Sequence, residues 1–334
     1  MSNFLQMRKV RICILLALYT GILLSCKQTL EVNTQWNDIT IVYGILDQSD
    51  TIHYVKITKA FLGPGDALQY AKISDSSNYS AALEVRLDEY SNNTFIRSLL
   101  LHDTLITNKD SGIFYFPVQK VYYTKEKLDQ AYQYKLWIRN TVTGKLIQAN
   151  TILVNNFVLE KPAMLPGVDF VPQQATDVQW ISAVGGKRYQ LTFRIHYSEY
   201  HYGDSAKTFH YLGWITFTKV RSLDSKGGET MLFTLPGMDF YKYLGDNLTP
   251  DPDIVRSLGR CDLIFLTGSD DLDSYLEVSQ QSNSIIEFKP PFSDIINGIG
   301  LYASRHVQAF DTLQFTDRTK DSLKTNRYTK DLGF

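Results

Sequence analysis

The chain has 334 residues, enough for two domains of ordinary size with cores of their own. An apolar content of 44% excludes a disordered polymer, and 34 basic residues against 35 acidic ones exclude the cationic surplus that nucleic-acid binding demands. Aromatic residues reach 13%, which favours strands over helical bundles, because flat side chains suit a pleated, half-buried surface.

The first 25 residues read as a signal peptide: Arg8, Lys9 and Arg11 precede an unbroken apolar run from Ile12 to Leu24. That run has 13 residues, short of the roughly 20 a helix needs to cross a hydrocarbon core. Its end, Leu23-Leu24-Ser25-Cys26, resembles the bacterial lipobox. The resemblance implies cleavage between Ser25 and Cys26, lipidation of Cys26, and anchorage by two or three acyl chains, where one chain would be marginal. Residues 26–38 then form the lipidated cysteine and a polar tether. Of the three cysteines, Cys13 leaves with the signal and Cys26 is lipidated, so Cys261 has no disulfide partner. It lies in an apolar strand-like run and reads as a buried small hydrophobe, not a nucleophile.

Residues 39–158 read as an immunoglobulin- or fibronectin-like β-sandwich. Ile39–Ile45 and Thr51–Lys59 flank an Asp47–Asp50 turn as a hairpin, and Asp66–Ile73 suggests one or two helical turns. Leu83, Val85 and Leu87 alternate with charged residues, Thr94–Leu101 returns from Ser91-Asn92-Asn93, and Tyr132, Tyr134, Leu136 and Ile138 alternate before a turn at Thr143-Gly144 into Lys145–Leu153. About seven strands therefore fall in this half. The Leu128–Leu136 run resembles the penultimate strand of such sandwiches, which implies a tyrosine hydroxyl pinning the corner. Three prolines and Gly167 in residues 159–175 mark a linker.

Residues 176–334 read as a second β-rich domain with a few short helices. Val178–Ala183, Arg188–Tyr197, Thr208–Arg221, Met231–Leu235 and Arg260–Thr267 carry strand patterns. Met238–Leu244 and Ile254–Leu258 suggest brief helices, and Ser269 caps a helix with Leu272, Tyr275, Leu276 and Ser279 on one stripe. Gly298–Ser304 and Val307–Phe315 suggest a closing hairpin, followed by a helix over Asp317–Thr325.

Residues that could carry chemistry are few. His196, Glu199 and His201 offer metal ligands, but on a strand His196 faces away from the other two, and a polar, Tyr-rich hairpin tip competes with the metal reading. Asp246, Asp251 and Asp253 offer hard oxygens without a calcium-loop pattern, and read as a solvated turn. Asp270, Asp271 and Asp273 stand at a helix start, where the dipole alone accounts for them. Tyr197, Tyr200, Tyr202 and Tyr211 flank the 196–211 hairpin and could stack on a sugar or anchor a protein interface, with plain packing as the competing reading. No nucleophile elbow, P-loop or dinucleotide fingerprint occurs, and no cofactor is expected.

Taken with the lipobox, Ile41-Val42-Tyr43-Gly44-Ile45-Leu46, Val55-Lys56-Ile57-Thr58-Lys59, the Leu272–Glu277 helix, Lys289-Pro290-Pro291-Phe292 and Asn297-Gly298-Ile299-Gly300-Leu301-Tyr302 resemble a class of uncharacterised lipoproteins of the Bacteroidetes cell envelope. Members are often encoded near TonB-dependent receptors. The resemblance implies a lipid anchor in the outer membrane, facing the periplasm or the cell surface, and a role in uptake or surface assembly. It carries no catalytic residues. Three functions follow: a non-catalytic binding or scaffolding protein engaging an outer-membrane receptor or a glycan, a hydrolase that could use a metal, and a purely structural envelope component. The first is the leading expectation.

Overall fold

The computed structural model describes residues 39–60, 69, 71–79, 83–107, 110–112, 115–204, 206–279 and 292–334. The expected signal peptide, Ser25, Cys26, the tether and Lys289-Pro290-Pro291 lie outside the described residues.

The protein is mainly β. In the first half run β1 (Ile39–Leu46), β2 (His53–Ala60), the short α1 (Ser74–Ser77), β3 (Leu83–Ser91), β4 (Thr94–Leu100), β5 (His102–Ile106), β6 (Gln119–Thr124), β7 (Gln133–Asn140) and β8 (Leu146–Ile152). In the second half run β9 (Leu159–Lys161), β10 (Ala175–Ile181), β11 (Arg188–His201), β12 (Thr208–Arg221), β13 (Thr230–Pro236), α2 (Gly237–Asn247), β14 (Ile254–Gly268), α3 (Asp270–Ser279), β15 (Gly298–Gln314) and α4 (Asp317–Thr325). They form an eight-stranded sheet in the order β12-β11-β14-β15-β1-β2-β6-β5, a four-stranded sheet β4-β3-β7-β8 and a three-stranded sheet β13-β10-β9.

The sandwich of the first half arises from period-two burial. Val42, Val55 and Ile57 of the large sheet and Val85, Leu87, Leu136 and Ile138 of the four-stranded sheet fill one core. The Tyr134 hydroxyl lies 2.6 Å from the Asp129 amide, which donates to it, and donates to the Asp129 carbonyl, so a tyrosine does pin this corner. A second core holds Trp180, Tyr189, Phe193, Phe240 and Phe265, with Phe170 and Phe240 stacked at 4.6 Å. Two cores therefore follow the two halves of the chain. The sheet does not stop between them: β15 pairs in parallel with β1 through Gly298–Ser304 and antiparallel with β14 through Arg305–Gln314. The prolines of residues 159–175 interrupt the chain without interrupting this sheet.

At Gly300 the pairing with Val42 needs a residue without a Cβ: φ is +128° and an added carbon would collide with the Val42 carbonyl oxygen.

Three expectations need correction. The closing hairpin is one strand of 17 residues, because the centre of the run, Ser304-Arg305-His306, has no Gly, Pro, Asn or Asp and both of its ends find sheet partners. Ile254–Leu258 is not a helix but the start of β14, held by pairing with Tyr197–His201. A five-residue run with only three apolar residues has no preference strong enough to resist such a partner. The helical turns expected at Asp66–Ile73 fit Gln69 and Ala71, which are helical, with residues 66–68 and 70 outside the described residues, and a further short helix follows at Ser74–Ser77. On α3 the buried residue is Asp273, whereas Leu276 is exposed. The Arg188 Nη1 and Arg221 Nε lie 3.1 and 2.7 Å from the Asp273 carboxylate, so this face of the helix docks by charge.

Candidate functional site

The β11–β12 hairpin ends the eight-stranded sheet, and β12 is its edge. Alternation over Phe209–Ile215 puts Phe209, Tyr211 and Ile215 on one face, left 82%, 66% and 54% exposed, while Leu212 and Trp214 turn to the core. Register sets Tyr211 opposite His196 and Gly213 opposite Arg194. The Arg194 guanidinium sits 5.6 Å from the Tyr211 ring centre, within cation–π range.

Beneath this row lies a buried carboxylate. Asp262 of β14 is 1% exposed and points away from the core-facing Cys261 and Leu263. His196 Nε2 donates to it at 2.7 Å, the Thr312 amide at 3.1 Å, and Arg260 Nε approaches to 3.3 Å. Two bulges bring these groups together. Between Ile195 and Tyr197 the register of β14 gains a residue, and between Cys261 and Leu263 the register of β15 gains another. The second bulge holds Thr312 at φ +67°, a costly conformation for a β-branched residue, and frees its amide from the ladder. Asp262 satisfies that amide. Burial alone would raise the Asp262 carboxyl, but the His196 and Thr312 hydrogen bonds and the nearby positive charges outweigh it and hold the group below its ordinary value.

The other sequence-derived candidates separate. Glu199 pairs with Arg256 at 3.0 Å and lies 3.4 Å from His210, while His201 is exposed at the end of β11. His196, Glu199 and His201 therefore do not converge, and no group of three metal-ligating side chains occurs among the described residues. Tyr197 is buried, its ring stacked on His210 at 5.3 Å, and burial followed by the Glu199 charge pushes its hydroxyl up. Tyr200 is half-buried with Lys207 5.8 Å from its ring, and Tyr202 is 84% exposed. Of the four tyrosines, Tyr202 and Tyr211 are thus the ones presented to solvent.

Asp251 accepts the Asp253 amide at 2.9 Å in a tight turn, and Asp246 is exposed beside it. Asp273 joins a network in which Glu277 also pairs with Arg188, Arg221 and Lys219; the Lys219 ammonium first, then the two guanidinium groups, pull the Glu277 carboxyl down to about 2. The helix dipole is therefore not what holds Asp273. Burial, with Asp262 adding to it, raises the Cys261 thiol well above its ordinary value, as suits an inert core cysteine.

Sequence reading missed Asp262 and Phe209. An Asp inside the apolar run Cys261–Leu266 is itself the signal, since a charge in a buried strand must be partnered. Its partner His196 is 66 residues away, so the pair becomes visible only when β11 and β14 are side by side.

No family model matches the chain. No curated protein matches it either. Among the described residues, no helix is long and apolar enough to cross a membrane.

Proposed function

We propose that the protein is a non-catalytic, lipid-anchored component of a bacterial cell envelope, and that the outer face of β12 holds a partner protein, in a role accessory to an outer-membrane uptake receptor. One observation carries the reading: Phe209, Tyr211 and Ile215 stand exposed in a row on an edge strand, with Arg194 beside them. Aromatic and Arg side chains are the residue types that dominate protein interfaces, and an edge strand can add a partner's backbone to its ladder. The Asp262–His196 pair acts here as the rigid floor under Tyr211, whose ring centre lies 6.2 Å from that of His196.

The lipobox resemblance at Leu23–Cys26 supports the anchor, and the resemblance to Bacteroidetes envelope lipoproteins supports the placement. The test is a pull-down from detergent-solubilised envelopes with three baits: the native chain, Cys26→Ala and Phe209→Ser/Tyr211→Ser. A protein retained by the native chain and lost with the aromatic double variant, while thermal unfolding is unchanged, is the expected result. Equal recovery by the native chain and the aromatic variant removes this face from the proposal.

A further inference from the structure

A cleft of about 620 Å³ opens between the outer face of the four-stranded sheet and the start of α3. Cross-strand pairing builds one wall: Tyr90 of β3 stands opposite Gln133 of β7, and Lys135 of β7 stands opposite Asn150 of β8. Period two places all four on the face that turns away from the buried Tyr134 and Leu136. The other wall is Asp270 and Asp271 at the first turn of α3.

Four of these side chains have no internal task. Gln133, Asn150, Asp270 and Asp271 make no hydrogen bond or ion pair to any described residue, whereas Asp273 and Glu199 are held by arginines. The volume is that of a small-ligand pocket, but such pockets are mostly apolar and this one exposes polar and apolar surface in about equal parts. An apolar ligand would strip water from amides and carboxylates and return nothing. An anion meets Asp270 and Asp271, and a simple cation meets Lys135, whose ammonium sits 5.0 Å from the Tyr90 ring centre. What remains is an uncharged molecule rich in hydroxyl groups, able both to donate to carboxylates and amide oxygens and to accept from amide nitrogens and the ammonium. Tyr90 adds an aromatic surface for the C–H face of a ring.

We propose that this cleft binds a neutral oligosaccharide, with Gln133, Asn150, Asp270 and Asp271 hydrogen-bonding its hydroxyl groups. The proposal is independent of the β12 interface, and either can fail alone.

The test is isothermal titration calorimetry of the full-length chain, in a detergent without a sugar headgroup, against maltotriose, cellotriose, xylotriose, mannotriose and chitotriose, with alanine as a zwitterionic control. Saturable binding of at least one trisaccharide at millimolar concentration or below, weakened at least tenfold by Gln133→Ala/Asn150→Ala, is expected. Both side chains are exposed, so the variant should unfold at the same temperature as the native chain; if it does not, Asn150→Asp, which alters the hydrogen-bonding pattern at constant size, replaces it. No saturation with any of the five, binding of alanine alone, or binding unaffected by the substitutions would overturn the assignment.

Discussion

Replacing Asp262 by Ala tests the floor of the candidate interface. The substitution takes the acceptor from His196 Nε2 at 2.7 Å and from the Thr312 amide at 3.1 Å. Hydrogen bonds to a charged group contribute about 1.5–3 kcal/mol each. The Arg260 pair adds little, since that side chain is 49% exposed and such pairs contribute under about 1 kcal/mol. Relief of the buried carboxylate's desolvation offsets part of the sum. A net loss of about 3 kcal/mol follows, with Asp262→Asn losing less because it keeps an acceptor for the Thr312 amide. The pH dependence has a definite sign. The folded carboxyl titrates below its ordinary value of 3.8, so its contribution is complete above that value and disappears as pH falls through the lower, folded-state value. Equilibrium urea unfolding of the native chain and both variants should show a gap at pH 5 that closes as pH falls below about 4. A gap under about 1 kcal/mol at neutral pH, or one that stays the same in acid, would refute the reasoning.

Two further outcomes follow from the geometry. Tyr134→Phe removes the hydroxyl that accepts the Asp129 amide in a fully buried corner, and should destabilise the chain by about 1–3 kcal/mol in thermal or urea unfolding, with no change in the far-ultraviolet dichroism of the folded state. Asp273→Ala leaves Arg188, only 13% exposed as a side chain, with Glu277 as its remaining carboxylate beside the Thr218 carbonyl that accepts from its Nε. Hydrogen exchange across Asp270–Ser279 should then accelerate at least tenfold while that of β3 and β7 stays unchanged; equal protection of α3 in both chains would mean that the network does not hold the helix.

Much of the fold was legible because β-structure declares itself through short-range pattern. Leu83, Val85 and Leu87 announce β3, and Tyr134, Leu136 and Ile138 announce β7, since alternation is a local property that a buried sheet face imposes directly. The helix over Asp317–Thr325 is equally local, and the structure caps it with Thr316, whose side chain accepts the Thr319 amide. The failures share a cause. Ile254–Leu258 and the run through Ser304-Arg305-His306 have weak local preferences, and their state depends on strands that pair with them from elsewhere in the chain. Sequence singled out the 196–211 hairpin through its tyrosines, but it could not rank Tyr202 and Tyr211 above Tyr197 in exposure, because that depends on which face of the sheet the core occupies.

By itself, the sequence determined a strand-dominated chain and most strand positions, which follow from composition or from periodicity within ten residues. Only the tertiary structure decided that one 17-residue strand serves both halves, that Asp262 meets His196 beneath Tyr211, and that Gln133, Asn150 and Asp271 face a common cleft. The physical reason is register: a shift of one residue in any pairing would carry each of these side chains to the opposite face, and pairing partners tens of residues apart are chosen by the whole core rather than by any segment of it.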